Sequence, residues 1–288
     1  MIIDGRQIAE KILGELKKEV DNKKLKLRMT AVLVGDDPEF KKFVELKGKA
    51  AEKIGVEFKI FQFDGNISQA VMIYHNTKLS EEFDGILVEL PLPTHLNQQE
   101  VLNSIPVEKD VDVLSDEAQA RFYGSQKEVQ PRGFFEVEPQ VFPQIFPPAV
   151  EALRILFKEL NVDPAGKTAV VFGYGLLVGK PIAYWLEKQG AKVSIIRSKT
   201  ENPAEISRLA DIVVSGAGKP DLITGDMIKE GAVVVDFGYG KKDNKMKGDV
   251  DFKSVTSKAS IITPVPGGMG PILIAAVLSN LVKLKSKN

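Results

Sequence analysis

Cysteine is absent from the 288-residue chain, which excludes disulfides, iron–sulfur clusters and thiolate catalysis. Histidine is scarce: His75 and His95 lie far apart with no metal-ligand spacing, so no metal site is expected. Net charge is missing too, because 39 Lys and Arg balance 39 Asp and Glu. That balance argues against a nucleic-acid partner, and the basic end LVKLKSKN reads as a solvated tail. No apolar run reaches membrane-spanning length, so no membrane partner is expected. The opening MIIDGRQIAEKI has no signal-peptide profile, and cytoplasm is the expected location. What is present is an ordinary globular composition, 43% hydrophobic and 27% charged, with a length suited to two domains or one large α/β domain.

The strongest local pattern is Lys167–Pro181, KTAVVFGYGLLVGKP. Ala169–Phe172 reads as a buried strand, Gly173, Gly175 and Gly179 as a turn, and Pro181 onward as a helix. Strand, glycine turn and helix form a dinucleotide-binding crossover, in which backbone N–H groups approach a pyrophosphate at the positive end of the helix dipole. The spacing is G-x-G-x-x-x-G rather than the commoner G-x-G-x-x-G. Further strands are expected at Lys192–Ile196, Ile212–Ser215, Val233–Phe237 and Ser260–Ile262, and helices at Pro181–Gln189, Pro203–Ala210 and Asp226–Lys229. This alternation predicts a doubly wound, mostly parallel sheet. Asn244–Gly248 reads as a hairpin-like excursion. Arg197 and Ser198 end the second strand, where a 2′-phosphate would select basic and hydroxyl groups and so NADP; a solvated basic turn fits the residues equally well.

In the first half, Gln7–Val20 has helical periodicity, Met29–Val34 reads as a strand, and Asp37 and Pro38 supply an N-cap and first residue for a helix running to Ile54. Lys47 falls on the apolar stripe of that helix, with Phe40, Phe43 and Val44. Two readings stay open: a snorkelling stem with its ammonium in water, or a partly desolvated acid–base lysine. Val56–Phe63 alternates as a strand, and Ser68–Leu79 is a helix. Asp84–Leu90 is a near-continuous apolar run, typical of a covered parallel strand. Glu89 sits near its carboxyl end, either at a ligand site or simply leaving the strand for solvent. Gln98–Ser104 is a short helix. Asp110 and Asp112 occupy a loop, where acids usually form turns. Arg121–Pro148, with Gly124, Gly133, Phe134, Phe135, Phe142 and Phe146, reads as a crossing loop. Val150–Leu160 is a helix. Thr263–Pro271, TPVPGGMGP, is too rich in proline and glycine for a strand or helix and reads as a ligand-contacting loop or a hinge before a final helix, Ile272–Leu284.

Several segments together carry a resemblance: VGDDP at 34–38, GILVELPLP at 85–93, KDVD at 109–112, VGKP at 178–181, GDVDF at 248–252 and TPVPGGMGP at 263–271. On these the chain resembles the bifunctional methylenetetrahydrofolate dehydrogenase/methenyltetrahydrofolate cyclohydrolase family. The resemblance implies an N-terminal α/β folate-binding catalytic domain (1–140) completed by the C-terminal helix (270–288), plus a Rossmann-type NAD(P)-binding domain (141–269). It implies a homodimer that oxidises methylenetetrahydrofolate with NADP, or with NAD, and hydrolyses the methenyl product to formyltetrahydrofolate. Lys47 takes the place of the family's catalytic lysine, and Asp112 that of its folate-binding aspartate. Catalytic roles are expected for Lys47, Glu89 and Asp112. The folate would meet Phe43, Leu90, Pro91, Asp112, Pro264, Gly267 and Gly268. The dinucleotide would meet Gly173, Tyr174, Gly175, Val178, Gly179, Arg197, Ser198, Gly216, Gly218 and Pro264.

The departures from the family pattern are specific. Phe43 stands where a tyrosine is usual, Glu89 replaces the glutamine of VQLPLP, and Val113 replaces the glycine after KDVD. Tyr174-Gly175 replaces arginine-serine in the glycine turn, Leu273 stands for a threonine, and Pro143-Gln-Ile-Phe146 replaces proline-cysteine-threonine-proline. An ionised Glu89 close to Lys47 would hold the lysine protonated, whereas a protonated Glu89 would act as a donor in place of the missing glutamine. The expected outcome is a dehydrogenase that keeps cyclohydrolase activity in a retuned form.

Overall fold

A computed structural model describes residues 1–124, 145–242 and 245–286. The chain forms two compact units: Ile12–Pro148 with Val277–Asn288, and Met1–Lys11 with Ala149–Ala276. The first helix, α1 (Gly5–Asn22), and the last each contribute residues to both.

The unit built on Ile12–Pro148 centres on three parallel strands, β1 (Arg28–Val34), β2 (Glu57–Phe63) and β3 (Gly85–Val88), in the order β2-β1-β3. Six of the seven β1 residues are buried and all four of β3 are, whereas β2 is an edge strand with an alternating, half-exposed pattern. Helix α2 (Pro38–Lys53) starts as its sequence predicts, with Pro38 in the first turn and the Asp37 side chain accepting the Glu39 N–H at 2.7 Å. It buries Val44, Gly48, Ala50 and Ala51. Helix α3 (Gln69–Glu82) is capped by Ser68, and α4 (Gln98–Asn103) by Asn97. Helix α5 (Asp116–Tyr123) extends into the region expected to be a crossing loop. Ser115 accepts the Ala118 N–H, acids occupy the first turn, and Gly124 closes the helix at φ +69°. These are standard start and stop signals that the loop reading overlooked. Residues 125–144 of that expected loop, including Gly133, Phe134, Phe135, Phe142 and Pro143, lie outside the described residues.

The other unit begins with α6 (Pro148–Leu160) and continues through β4 (Thr168–Phe172), α7 (Gly179–Lys188), β5 (Lys192–Ile196), α8 (Pro203–Ser207), β6 (Ile212–Ser215) and β7 (Val233–Asp236). A hairpin of β8 (Gly240–Lys242) and β9 (Lys245–Lys247) pairs antiparallel, matching the expected excursion, with residues 243–244 outside the described set. Helix α9 (Phe252–Val255), strand β10 (Ile261–Ile262) and helix α10 (Met269–Lys285) complete the chain. The five main strands are parallel, in the order β10-β7-β6-β4-β5. Counted along the unit this is 2-1-3-4-5, a doubly wound sheet whose order reverses at β4, and such reversals open ligand crevices at the strands' carboxyl ends. The N-terminal segment extends the sheet: Ile3 N–H donates to the Ile262 carbonyl, and Ile262 N–H to that of Met1, at 3.0 and 2.9 Å. One face packs a core of Val170, Phe172, Val213, Ile223, Val234 and Ile262.

Two element expectations are corrected. Asp226–Lys229 is not a helix: Asp226 and Met227 belong to a single 3₁₀ turn, Gly225–Met227, and the backbone is already extended at Ile228. Thr263–Pro271 is not wholly loop, since α10 begins at Met269. Pro271 falls in the first turn, where no helical partner awaits its missing N–H.

Candidate active site and dinucleotide cavity

In the first unit, Lys47 and Glu89 arrive from different elements. Lys47 lies on α2, one turn after Phe43. Glu89 follows β3, its backbone N–H still bonded to the Val32 carbonyl of β1 at 2.9 Å, so the sheet holds its Cα. The Lys47 ammonium donates to Glu89 Oε1 in an ion pair whose side chains are only 18% and 11% exposed. The Lys47 head is thus held against a carboxylate rather than in open water. Phe43 beside it is half-buried and offers no hydroxyl.

Asp112 reaches the same neighbourhood from the loop between α4 and α5. Asp110 forms an isolated parallel bridge with Ile86 of β3, which ties the loop to the sheet. The buried Asp110 carboxyl then accepts the N–H groups of Leu114 and Ser115 at 2.9 and 2.8 Å, so Asp110 builds the turn, as acids in loops commonly do. Asp112 carries no such duty. Desolvation pushes its carboxyl up to about 7, opposed by the Lys47 charge and reinforced by Glu89 and Asp110. Val113, next to it, is buried at φ +58°, a left-handed conformation costly for a β-branched residue. Asn280 of α10, fully buried, donates to the Val111 carbonyl at 2.9 Å and to that of Phe146 at 2.8 Å. It steadies the residue before Asp112, and nothing in its helical surroundings in sequence marked it. Leu90 and Pro91 follow Glu89 directly, joined by a cis peptide.

In the second unit, a cavity of about 620 Å³ opens at the carboxyl ends of β4, β5 and β6. Of the residues expected to meet the dinucleotide, Gly173, Tyr174, Gly175, Arg197, Ser198 and Gly216 line it. Val178 and Gly179 support it from beneath. A Cβ on Gly179 would sit 2.2 Å from the Gly173 carbonyl oxygen, so only glycine lets α7 start this close to the turn. A Cβ on Gly175, by contrast, meets nothing within 4 Å, and the space beside it is the cavity itself. Gly218 lies on the adjoining loop, outside the lining. The Arg197 guanidinium stacks over the Tyr174 ring, 4.4 Å from its centroid. Thr200, Pro203, Ala217 and Lys219 also line the cavity and were not singled out from sequence. Their position just after β5 and β6 is the signal that could have found them. These residues fit a dinucleotide: a glycine turn, an adjoining helix start without a side-chain cap, and the cationic Arg197 and Lys219 in the lining.

Pro264, Gly267 and Gly268 belong to the loop between β10 and α10 and are not part of that lining. The loop is folded on itself, with Gly268 N–H donating to the Pro264 carbonyl and Gly5 N–H to that of Gly267, at 2.8 and 2.9 Å.

Comparison with known proteins agrees with both halves of this arrangement. Residues 3–112 match the model of the tetrahydrofolate dehydrogenase/cyclohydrolase catalytic domain, and residues 147–288 that of the NAD(P)-binding domain of the same family. "Bifunctional protein FolD" of Hydrogenobaculum sp. is 36% identical over 284 residues, 98% of this chain and 97% of that one. The crystal structure of the bifunctional enzyme from Campylobacter jejuni, a methylenetetrahydrofolate dehydrogenase/cyclohydrolase, superposes with a TM-score of 0.89 at 34% identity, covering 100% of this chain and 99% of its own. A Trypanosoma brucei dehydrogenase–cyclohydrolase complexed with NADP and an inhibitor gives 0.89 at 32% identity, covering 100% and 97%. With both domains matched and its relatives aligned from end to end, the chain belongs to the tetrahydrofolate dehydrogenase/cyclohydrolase family.

Proposed function

We infer that Lys47, Glu89 and Asp112 form the proton-handling centre of a methylenetetrahydrofolate dehydrogenase/methenyltetrahydrofolate cyclohydrolase that works with NADP. The enzyme oxidises methylenetetrahydrofolate to methenyltetrahydrofolate with NAD(P) and hydrolyses the product to formyltetrahydrofolate. The single observation that carries the assignment of residues is the Lys47–Glu89 ion pair beside a carboxyl that titrates near neutrality.

Bound nicotinamide supplies the hydride acceptor for the first reaction. That step asks the chain to position the folate and exclude water, so the missing hydroxyl at Phe43 is tolerable there. Hydrolysis asks for more. Water adds to the cationic methenyl carbon, forming a carbon–oxygen bond. A carbon–nitrogen bond then breaks as the carbonyl forms. Of the water's two protons, one ends on the released ring nitrogen and the other in solvent, and the positive charge of the substrate disappears. In the ion pair the Lys47 ammonium is placed as the proton donor to the departing nitrogen and the Glu89 carboxylate as the acceptor for the attacking water. Asp112 binds the pterin ring through its carboxyl. In Lys47→Ala, hydrolysis should fall at least a hundredfold while oxidation survives; unchanged hydrolysis would overturn the assignment.

The choice of NADP rests on Arg197 and Ser198 at the end of β5, with the NADP-bound T. brucei relative as an independent pointer. Tyr174-Gly175 in the glycine turn carries no charge, which leaves Arg197 to meet a 2′-phosphate, held against the Tyr174 ring. Arg197→Ala should raise KM for NADP about tenfold or more and leave KM for NAD within about twofold, the size of effect expected for one charge-assisted pair. Equal effects on both would remove Arg197 from this role. A cytoplasmic homodimer, with folate-binding and nucleotide-binding domains divided at 1–140 with 270–288 and 141–269, is the organisation proposed for the working enzyme.

A further inference from the structure

Asp249 belongs to the GDVDF segment, 248–252, and lies outside the lining of the dinucleotide cavity. Its side chain is fully buried and accepts four hydrogen bonds, one from the end of β6 and three from the loop that follows it. Asp249 Oδ2 accepts the Ser215 hydroxyl at 2.6 Å, the Ala217 N–H at 2.7 Å and the Gly218 N–H at 3.2 Å; Oδ1 accepts the Lys219 N–H at 2.6 Å. Ser215 ends β6, and Gly216, Ala217 and Lys219 line the dinucleotide cavity. One carboxyl group therefore fixes the backbone of a whole cavity wall at the point where the sheet order reverses.

Asp249 is itself held from behind. Asp236, at the end of β7, accepts the N–H groups of Gly238 and Asp249 on Oδ1 at 2.7 and 3.2 Å, and that of Val250 on Oδ2 at 2.9 Å. Asp236 N–H donates to the Thr263 hydroxyl at 2.7 Å. The two glycines that flank this stack have no room for a side chain: a Cβ on Gly238 would lie 2.3 Å from Asp249 Cγ, and one on Gly248 2.0 Å from Asp236 Oδ2. The sequence therefore commits two glycines and a second buried acid to holding the carboxyl that sets this backbone.

We propose that Asp249 is the positioning residue for the dinucleotide, holding Gly216–Lys219 in the conformation that accepts it. The residue touches no ligand and acts through the backbone of that loop. This rests on the dinucleotide reading of the cavity, and the test separates the two. Wild type, Asp249→Asn and Ser215→Ala are titrated with NADP by calorimetry and assayed for oxidation and, separately, for hydrolysis of methenyltetrahydrofolate, a reaction that consumes no dinucleotide. The Asn side chain turns an NH₂ toward backbone donors and leaves at least one N–H unpaired. Its Kd and KM for NADP should rise tenfold or more, with KM for the folate within twofold and full binding stoichiometry. Ser215→Ala removes one bond of four and should raise Kd about threefold. A merely structural role would instead lower stoichiometry and both activities in parallel while leaving Kd and KM unchanged, and that result overturns the proposal. If Asp249→Asn does not fold, Ser215→Ala decides: an unchanged Kd for NADP overturns it. Absence of NADP binding in wild type would sink the dinucleotide reading itself.

Discussion

At the scale of single residues, the informative change is glutamate for glutamine at position 89. The sequence placed Lys47 on an apolar stripe and Glu89 at a strand's end, and the resemblance brought them to one site. What it could not give was the proton bookkeeping, which depends on burial and on three charges acting together. Asp112 titrates near 7 chiefly because it is desolvated, and the Glu89 charge adds to that rise. Replacing Glu89 with glutamine removes one of the influences that push Asp112 upward. Its carboxyl then ionises at lower pH. If the ionised Asp112 is needed for hydrolysis, the acid limb of kcat/KM should sit near pH 7 in wild type and move downward in Glu89→Gln. A limb that stays in place or moves up would mean that another group titrates there.

At the scale of elements, steric demands separate glycines that look alike in the motif. Sequence reading treated Gly173, Gly175 and Gly179 as one signature, because spacing reveals nothing of what lies beside each Cα. Gly179 faces the Gly173 backbone and Gly175 faces open space. Gly179→Ala should therefore cost at least about 2 kcal/mol of stability, the scale of core overpacking. Gly175→Ala should keep stability within about 0.5 kcal/mol, as for an ordinary surface change, while weakening the dinucleotide. Denaturant titration of both variants checks the contrast. The loop between α4 and α5 makes the converse case. Its strained residue is not glycine but Val113, at φ +58°. Alanine normally outranks glycine in a folded chain, but left-handed backbone costs a non-glycine residue about 1–2 kcal/mol. Val113→Gly should accordingly be more stable than Val113→Ala by about 1 kcal/mol; the ordinary order would show that the turn relaxes around the substitution. Strands and most helix starts were legible because periodicity and caps are local. Helix α5 was missed where its own caps were present, and the backbone conformation at Val113 was beyond reach because valine is the last residue the local rules would put there.

At the scale of the whole molecule, charge balance leaves stability to particular groups. With 39 residues of each sign, net self-repulsion is small near neutrality. Asp236 is 2% exposed, and burial pushes it up to about 6 from an ordinary 3.8; the N–H groups it accepts oppose the rise and the neighbouring Asp249 charge adds to it. Between those two values the folded chain keeps a proton that the unfolded chain has released. Stability from this group therefore falls as pH climbs from about 4 through 6 and is level above, a loss of about 3 kcal/mol at one pKa unit per 1.36 kcal/mol. Asp112 and Asp110, both raised by burial, act with the same sign. Acids held low work the other way, Asp211 by its hydrogen bond to Lys229 and Asp221 by Lys242 and Lys247; their contribution is present at neutrality and is lost only as pH falls below the ordinary carboxylate range. The two sets leave a maximum in weak acid. The chemical denaturation midpoint should be highest near pH 4 and decline by pH 7.5, and Asp236→Asn should flatten that decline. A midpoint that rises steadily from pH 5 to 7.5 would show that the acids buried behind the dinucleotide wall are ionised at no cost, with hydrogen bonds from the backbone offsetting their desolvation in full.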